Sequence, residues 1–278
     1  CRRAAASSLA NRALRSYQRR MTRKITLSRV ENFRDFGDYP TRDGRRIKRG
    51  LLYRSAHQHH ATEDDLAAIA ALAPHAIVDL RRRLEREKAP SRRWPGFSAT
   101  VIDNDLGDLD HDPWMAEFKA SDRSVEWFRQ NAIGFYRQTP FEDRYIDLFS
   151  RYFRILAEAD GPVLVHCAAG KDRTGTICAL THHLLGVDHE HIVADFLLTN
   201  DHERIPARST ELRALFLEET GHEVEDAALV QAMSVEVSYL DAAFETITSR
   251  CGSIDAYLRD VLGIDAEVQQ RLEARLLE

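Results

Sequence analysis

The sequence predicts an α/β fold in which a short, mostly parallel central sheet is flanked by helices. Three observations support this prediction. Short apolar segments typical of buried strands alternate with amphipathic helical segments. The last of these strands leads through a polar loop into a helix, and the chain beyond Val187 has a helical pattern throughout.

The first predicted elements are a hairpin and a capped helix. Asp43-Gly44 is a turn signal ahead of the segment that ends at Arg54. Thr62 is a predicted helix N-cap, and Asp65 stands where a capping box places Glu or Gln. The helix that follows carries apolar side chains on one face: Leu66, Ile69, Ala70 and Leu72.

Two predicted strands come next, and the composition changes after them. Residues 75–80 form an apolar segment that ends in polar residues, and residues 100–103 form another short strand. Residues 104–140 are acidic at first and then rich in aromatic side chains. This pattern predicts a lid-like helical insertion that covers part of the molecule, although ordinary core helices would give the same pattern.

The remaining strand lies between two predicted helices. Apolar side chains at helical spacing predict a helix over residues 142–158, and Gly161-Pro162 ends it. Residues 163–165 form a short apolar strand, and a helix is expected from about Arg173 to Leu185. Weak breaks then divide the helical part over residues 188–278, at Gly221, Gly252 and Gly263.

Composition and charge exclude several classes of protein. The chain has 278 residues, of which 44% are hydrophobic and 30% charged, so it is neither disordered nor collagen-like. No apolar run approaches the ~18 residues that a membrane span needs, so stable membrane insertion is not expected. Residues 1–24 hold eight basic side chains and no acid, which leaves a net charge of −13 on the rest. A body this acidic is a poor partner for nucleic acid.

The chain is expected to form one domain over residues 25–278, preceded by a disordered basic tail over residues 1–24. The tail has no apolar core of a secretory signal. It superficially resembles an organellar transit peptide, and a segment upstream of a true start at Met21 is equally open.

Four scattered cysteines predict neither a disulfide scaffold nor a zinc cluster. We therefore expect a cytoplasmic protein, with export without a signal as the alternative.

The segment from His166 to Gly175 reads HCAAGKDRTG and carries the chemistry. Its cysteine, Cys167, follows a buried strand, where open α/β sheets bind ligands. Loop amides and a helix N-terminus form an anion nest, whose positive field favours a thiolate. Arg173 supplies a planar fork for two phosphate oxygens, and Thr174 places a hydroxyl beside the sulfur. These features together predict phosphoryl transfer to cysteine; the loop residues expected to bind phosphate are Ala168, Ala169, Gly170 and Lys171.

Other sites fit the segment less well. A nucleotide-binding P-loop would need glycine at Val165 and Ser or Thr at Asp172. The histidines lack partners at zinc-ligand spacing. A phosphate-binding module without catalysis and a cysteine-based sulfur transferase both remain alternatives. Steady turnover of p-nitrophenyl phosphate would exclude the first, and thiosulfate:cyanide activity would reveal the second.

The same segment resembles the signature of cysteine-based tyrosine phosphatases, in the form found in the bacterial atypical tyrosine/phosphoinositide phosphatases. Further matches extend the resemblance from about residue 26 to 276: they are Asn32–Gly37, Leu52–Ala56, Asp79–Arg81 with Glu85, Gly252–Leu258 and Leu262-Gly263. The resemblance implies a compact phosphatase fold with a mobile helical lid. It also implies activity on phosphotyrosine, and in some members on phosphoserine, phosphothreonine or phosphoinositides. The expected partner is thus a phosphorylated protein or a phosphoinositide.

The expected mechanism needs no metal or cofactor. Cys167 attacks phosphorus while Arg173 and the loop amides hold the equatorial oxygens. Water then cleaves the cysteinyl phosphate, and Thr174 stabilises the leaving thiolate. His166 is expected to orient the loop through a hydrogen bond. Lys171 is expected at the rim of the cradle, where it could meet a second phosphate of an inositol ring.

The general acid is predicted to be Asp172. Residues 129–141 contain no aspartate or glutamate, so the acid that many such phosphatases carry about 30 residues before the cysteine is missing. Asp143 and Asp147 fall on a predicted helix and are expected to be solvated or paired. Asp172 lies within the loop itself. The alternatives are Asp79, at the end of its strand, and an acid between residues 103 and 112.

Overall fold

A five-stranded sheet lies at the centre of the computed structural model, which describes residues 25–201 and 204–278. The strand order is β1-β2-β5-β3-β4, with β1 antiparallel to β2 and the other four strands parallel. The mostly parallel sheet expected from the sequence is therefore confirmed, whereas the expected tail over residues 1–24 lies outside the described residues. The strands are β1 (Arg34–Asp35), β2 (Leu52–Ser55), β3 (Ala76–Asp79), β4 (Thr100–Ile102) and β5 (Val163–His166).

Helices surround the sheet and make up most of the described chain after β4. They are α1 (Glu63–Ala71), α2 (Arg83–Lys88), α3 (Pro113–Ala120), α4 (Val125–Gln138), α5 (Asp143–Glu158), α6 (Asp172–Leu184), α7 (His189–Leu197), α8 (Arg204–Thr220), α9 (Asp226–Met233), α10 (Val237–Cys251), α11 (Ile254–Ala256) and α12 (Ala266–Leu276). A 3₁₀ turn over Thr139–Phe141 and a π-helical turn over Tyr257–Val261 complete the set. None of the described helices is long and apolar enough to cross a membrane.

Local sequence signals explain where several of these elements begin and end. Thr62 caps α1, and its capping box with Asp65 is complete. Gly221, Gly252 and Gly263 all have positive φ, which suits glycine at helix ends. The predicted hairpin is present, because β1 and β2 pair antiparallel on either side of the turn at Asp43-Gly44. Nearer the turn the pairing is reduced to an isolated bridge between Pro40 and Arg46.

The sheet is buried on both faces. In β3, Val78 contacts the larger core cluster and Ile77 the smaller one. In β5, Val165 and Leu164 divide between the same two clusters. This alternation explains why the first three residues of both strands are apolar, as in parallel strands covered on two faces.

A third cluster of apolar side chains lies apart from these two cores. It joins helices α3 and α4, from the predicted insertion, to α8 and α9. Phe118 and Phe216 are its centre, with ring centroids 4.2 Å apart. We call these four helices the lid helices. The sequence placed only residues 104–140 in a lid, because nothing local distinguishes α8 and α9 from the other C-terminal helices.

Candidate active site

Cys167 follows β5 directly, at the carboxyl end of a strand enclosed by β2 and β3. A cavity of about 610 Å³ opens above it, lined by Cys167 and Arg173 and by residues of the lid helices. Cys167 itself is almost fully buried, with 2% of its surface exposed. The strand therefore delivers the thiol to the floor of a pocket, in the position where parallel sheets bind ligands.

The loop after Cys167 turns its carbonyl groups away from the pocket. The carbonyl oxygen of Ala168 accepts from the His57 amide at 3.1 Å. That of Gly170 accepts from Arg54 Nη2 at 2.8 Å and from Asn32 Nδ2 at 2.6 Å. Because a trans peptide directs its N–H opposite to its carbonyl, the next amides in the chain point inward. The loop thus turns N–H groups toward the pocket, an arrangement suited to binding an anion.

Gly170 is required at its position for two reasons. Its φ is +62°, in the left-handed region that favours glycine. A Cβ there would lie 2.4 Å from the carbonyl oxygen of Ser55, which is backbone and has little freedom to move. Any other residue would push the loop away from β2 and distort the cradle.

Glu85 holds the guanidinium of Arg173. Its carboxylate meets Nη1 at 2.5 Å and Nη2 at 2.7 Å, a bidentate pair. Burial raises the pKa of the Glu85 carboxyl, but Arg173, the Arg82 amide and Arg81 together lower it more, so this pKa lies below its ordinary value. Glu85 also accepts from the Arg82 amide at the start of α2. The sequence showed Glu85 only as part of the family resemblance, because its partner lies 88 positions away.

A buried ion network lies behind the loop. Arg54 donates to Asp195 at 3.3 Å as well as to the loop, and Arg34 donates to the same carboxylate at 3.5 Å. Burial raises the pKa of Asp195, but the two arginines lower it more, to about 2. The network fixes the Gly170 carbonyl from outside the pocket. Sequence reasoning missed Asp195, which is carried by α7.

His166 and Asp79 support the loop without entering the pocket. His166 Nδ1 lies 3.2 Å from the Cys167 carbonyl oxygen, and because a carbonyl only accepts, Nδ1 is the donor. Burial lowers the pKa of His166 to about 4, so it is neutral at pH 7. Burial raises the pKa of Asp79, whereas His166 and Arg81 lower it, to about 2. Arg81 donates to Asp79 Oδ1 at 2.9 Å and to Oδ2 at 2.6 Å, so Asp79 is a poor source of protons.

Asp172 is the carboxylate of the loop that faces the pocket. It begins α6, lines the cavity and keeps 27% of its side chain exposed. Tyr136 donates to its Oδ1 at 3.1 Å. Among the alternatives between residues 103 and 112, Asp108 is paired with Arg144 at 2.7 Å. Asp112 caps α3 through the Trp114 amide.

Lys171 lines the pocket, but its ammonium is bonded within the protein. Its side chain is 9% exposed, and its ammonium donates to the carbonyl oxygens of Ala232 at 2.7 Å and Ser234 at 3.1 Å. These carbonyls lie at the C-terminal end of α9, where a cation is favoured. The side chain is therefore already bonded within the protein, and it ties the loop to a lid helix.

Thr174 places a hydroxyl in the same buried region. It is fully buried, and within the described residues its Oγ1 has no hydrogen-bond partner. A buried hydroxyl without a partner is costly unless it serves a ligand or a reacting atom. The hydroxyl is thus available to a ligand or a reacting atom, and its role toward the sulfur of Cys167 stays a prediction.

The lid helices supply an apolar wall to the pocket. Trp114, Phe128 and Phe216 line it, together with Met233 at the end of α9. A buried thiol, a nest of amides and an anchored arginine thus lie beneath an aromatic enclosure. Such a pocket fits a phosphate dianion carried on a flat apolar group.

Known proteins share both the motif and the extent of this chain. A model of the tyrosine phosphatase family matches residues 25–278. A Mycobacterium tuberculosis protein named triple specificity protein phosphatase PtpB is 33% identical over 275 residues, covering 88% of this chain and 96% of its own. A Cupriavidus necator protein, provisionally named a tyrosine-protein phosphatase, is 31% identical over 245 residues, covering 87% and 85%. A tyrosine-protein phosphatase of Nostoc commune is 26% identical over 240 residues, covering 83% and 75%. With the site geometry and a match along the whole described chain, the protein belongs to the tyrosine phosphatase family.

Proposed function

We propose that the protein is a metal-independent protein-tyrosine phosphatase that acts through a cysteinyl-phosphate intermediate. The observation that carries this proposal is the position of Cys167, on the floor of the pocket beside Arg173 and the inward amides of its loop. Cys178, the other fully buried cysteine of the described chain, has no such role. Burial raises the pKa of its thiol to about 12.

The first chemical step transfers the phosphoryl group to sulfur. Cys167 Sγ attacks phosphorus, and the bond from phosphorus to the leaving oxygen breaks. Arg173 and the loop amides hold the three equatorial oxygens. Asp172 gives its proton to the leaving oxygen.

The second step returns the enzyme to its starting state. Water attacks phosphorus while the Asp172 carboxylate takes one of its protons. The sulfur–phosphorus bond breaks, and the Thr174 hydroxyl stabilises the thiolate that leaves. Inorganic phosphate is released and Asp172 is again protonated.

The aromatic wall favours phosphotyrosine. Trp114 and Phe135 line the pocket, are only half-buried, and offer apolar surface against which a phenyl ring can pack. The names of the relatives agree with phosphotyrosine as a substrate, and the name triple specificity protein phosphatase is consistent with a wider range of substrates. We therefore extend the proposal to phosphoserine, phosphothreonine and phosphoinositides as further substrates.

We also infer one catalytic domain over residues 25–278 in a cytoplasmic protein, in keeping with free thiols at Cys167, Cys178 and Cys251.

A substrate panel with matched variants tests this function. The panel contains a phosphotyrosine peptide, a phosphoserine/phosphothreonine peptide, phosphoinositides and thiosulfate with cyanide. The wild type and Cys251→Ser should release phosphate from the phosphotyrosine peptide, whereas Cys167→Ser should bind it without turnover. A serine hydroxyl in this nest stays protonated and is a weak nucleophile. Normal turnover by Cys167→Ser, or sulfur transfer without phosphatase activity, overturns the proposal.

A further inference from the structure

Two donors approach the same oxygen of Asp172. The Tyr136 hydroxyl donates to Oδ1 at 3.1 Å, and Lys171 Nζ lies 3.4 Å from the same atom. An ammonium group only donates, so Oδ1 is a poor place for a proton. A proton on this carboxyl group therefore resides on Oδ2.

Packing fixes the Tyr136 side chain. It is fully buried on α4. Its ring packs against Phe196 of α7, with centroids 6.0 Å apart, and against Tyr239 of α10, at 5.6 Å. Because the ring is held from two sides, its hydroxyl is directed toward Asp172.

Tyr136 also keeps its proton through the reaction. Burial, together with the charge of Asp172, raises the pKa of its hydroxyl well above the ordinary value. The hydroxyl is thus a donor to Asp172 both before and after the carboxyl proton leaves. It restrains the carboxyl group without taking part in the transfer.

We propose that Tyr136 is a positioning residue that orients Asp172 so that Oδ2 delivers the proton to the leaving oxygen. The inference rests on the proposed function, in which Asp172 is the general acid. Its proton balance is unchanged: the Oδ2 proton goes to the leaving group, and a proton of the attacking water replaces it. Tyr136 contributes only the fixed hydrogen bond to Oδ1.

The experiment compares leaving groups in the wild type and four variants. These are Tyr136→Phe, Asp172→Asn, the double variant and a control, Tyr239→Phe. The control removes a hydroxyl from the adjacent ring, whose oxygen accepts from Gln231 instead of contacting Asp172. The measured quantity is kcat/KM for phenyl phosphate and for 2,4-dinitrophenyl phosphate. Because both are taken on the same preparation, their ratio does not depend on the fraction of folded enzyme.

Tyr136→Phe should lower kcat/KM about tenfold for phenyl phosphate and little for the dinitrophenyl ester, because only the poor leaving group needs the proton. In the Asp172→Asn background the same change should have no further effect on the ratio. The control should match wild type. Equal losses on both esters, or a full further loss in the double variant, overturn the inference.

The failures of the inference and of the proposed function are distinguishable. An Asp172→Asn protein that keeps the wild-type ratio shows that Asp172 is not the general acid, and it overturns the inference as well. An Asp172→Asn protein with a lowered ratio, together with a Tyr136→Phe protein that keeps it, overturns the inference alone.

Discussion

At the scale of single residues, the arrangement around Cys167 separates two kinds of carboxylate. Glu85 and Asp79 are each bound by an arginine, so they stay ionised and act as anchors. Asp172 instead accepts from Tyr136, lies 3.4 Å from the Lys171 ammonium and lines the pocket. The side chains next to a carboxylate therefore decide whether it is held as an anchor or faces the pocket.

Replacing Asp172 tests the acid directly. We expect Asp172→Asn to slow hydrolysis of phenyl phosphate or phosphotyrosine by ~10²–10⁴-fold, because the leaving oxygen then departs without a proton. Asp112→Asn is the matched control, since asparagine still caps α3. Pre-steady-state burst rates isolate the first step. A burst slowed equally for esters with good and poor leaving groups would place the acid elsewhere, with Asp108 the next candidate because it lines the same pocket.

Residues of the loop could be predicted from sequence, and their distant supports could not. Cys167, Asp172 and Arg173 lie within one short motif whose chemistry is local. Tyr136 and Asp195 act on that motif from α4 and α7, and nothing in their own surroundings marks them. Only the fold brings these side chains to the loop.

At the scale of elements, the lid is built from two separate parts of the chain. Helices α3 and α4 pack with α8 and α9 around Phe118 and Phe216. The aromatic composition of residues 104–140 predicted one part of it. The other part shares its pattern with the rest of the helical C-terminal region, so its place over the pocket depends on tertiary packing.

Lys171 connects the phosphate loop to this lid. We expect Lys171→Met to speed amide hydrogen exchange over Asp226–Met233 by about tenfold, because two charge-assisted hydrogen bonds to the end of α9 are lost. Hydrolysis of phosphotyrosine and of phosphoinositides should fall alike, since the ammonium is already bonded within the protein. The control is Lys88→Met, an exposed lysine that also lines the pocket. Unchanged exchange with a loss confined to phosphoinositides would instead support a second phosphate site at Lys171.

At the scale of the whole molecule, the strand order of the sheet brings separate segments of the chain together at one site. The sequence predicted strands and helices in nearly their observed places, because apolar periodicity and caps are local. The order β1-β2-β5-β3-β4 was not predicted, since it depends on which strands pair. That order puts β5 between β2 and β3, so that His166, directly before Cys167, pairs with Ser55 on one side and Asp79 on the other.

Burial of His166 makes stability depend on pH. Its pKa of about 4 in the folded protein lies below the ordinary value near ~6.5, so the unfolded chain binds the proton more readily. The free energy of unfolding contributed by the neutral form is complete above pH ~6.5 and is lost as pH falls toward 4. Urea unfolding should show about 2 kcal/mol less stability at pH 5 than at pH 7 from this group. His166→Gln should remove this part of the pH dependence, whereas the control His222→Gln, at an exposed position, should keep it. If the free energy of unfolding changes equally with pH in the wild type and both variants, His166 is not the group responsible.

The most direct test of the central claim is to trap the intermediate. A phosphotyrosine peptide labelled with radioactive phosphorus is mixed with the enzyme, and the reaction is quenched within the burst phase. The enzyme is then digested, and the enzyme fragment that carries the label is identified. We expect a phosphoryl group on the sulfur of Cys167 that forms at the burst rate and is absent from Cys167→Ser. Label on any other residue, or phosphate release at full rate without a labelled Cys167, would contradict it.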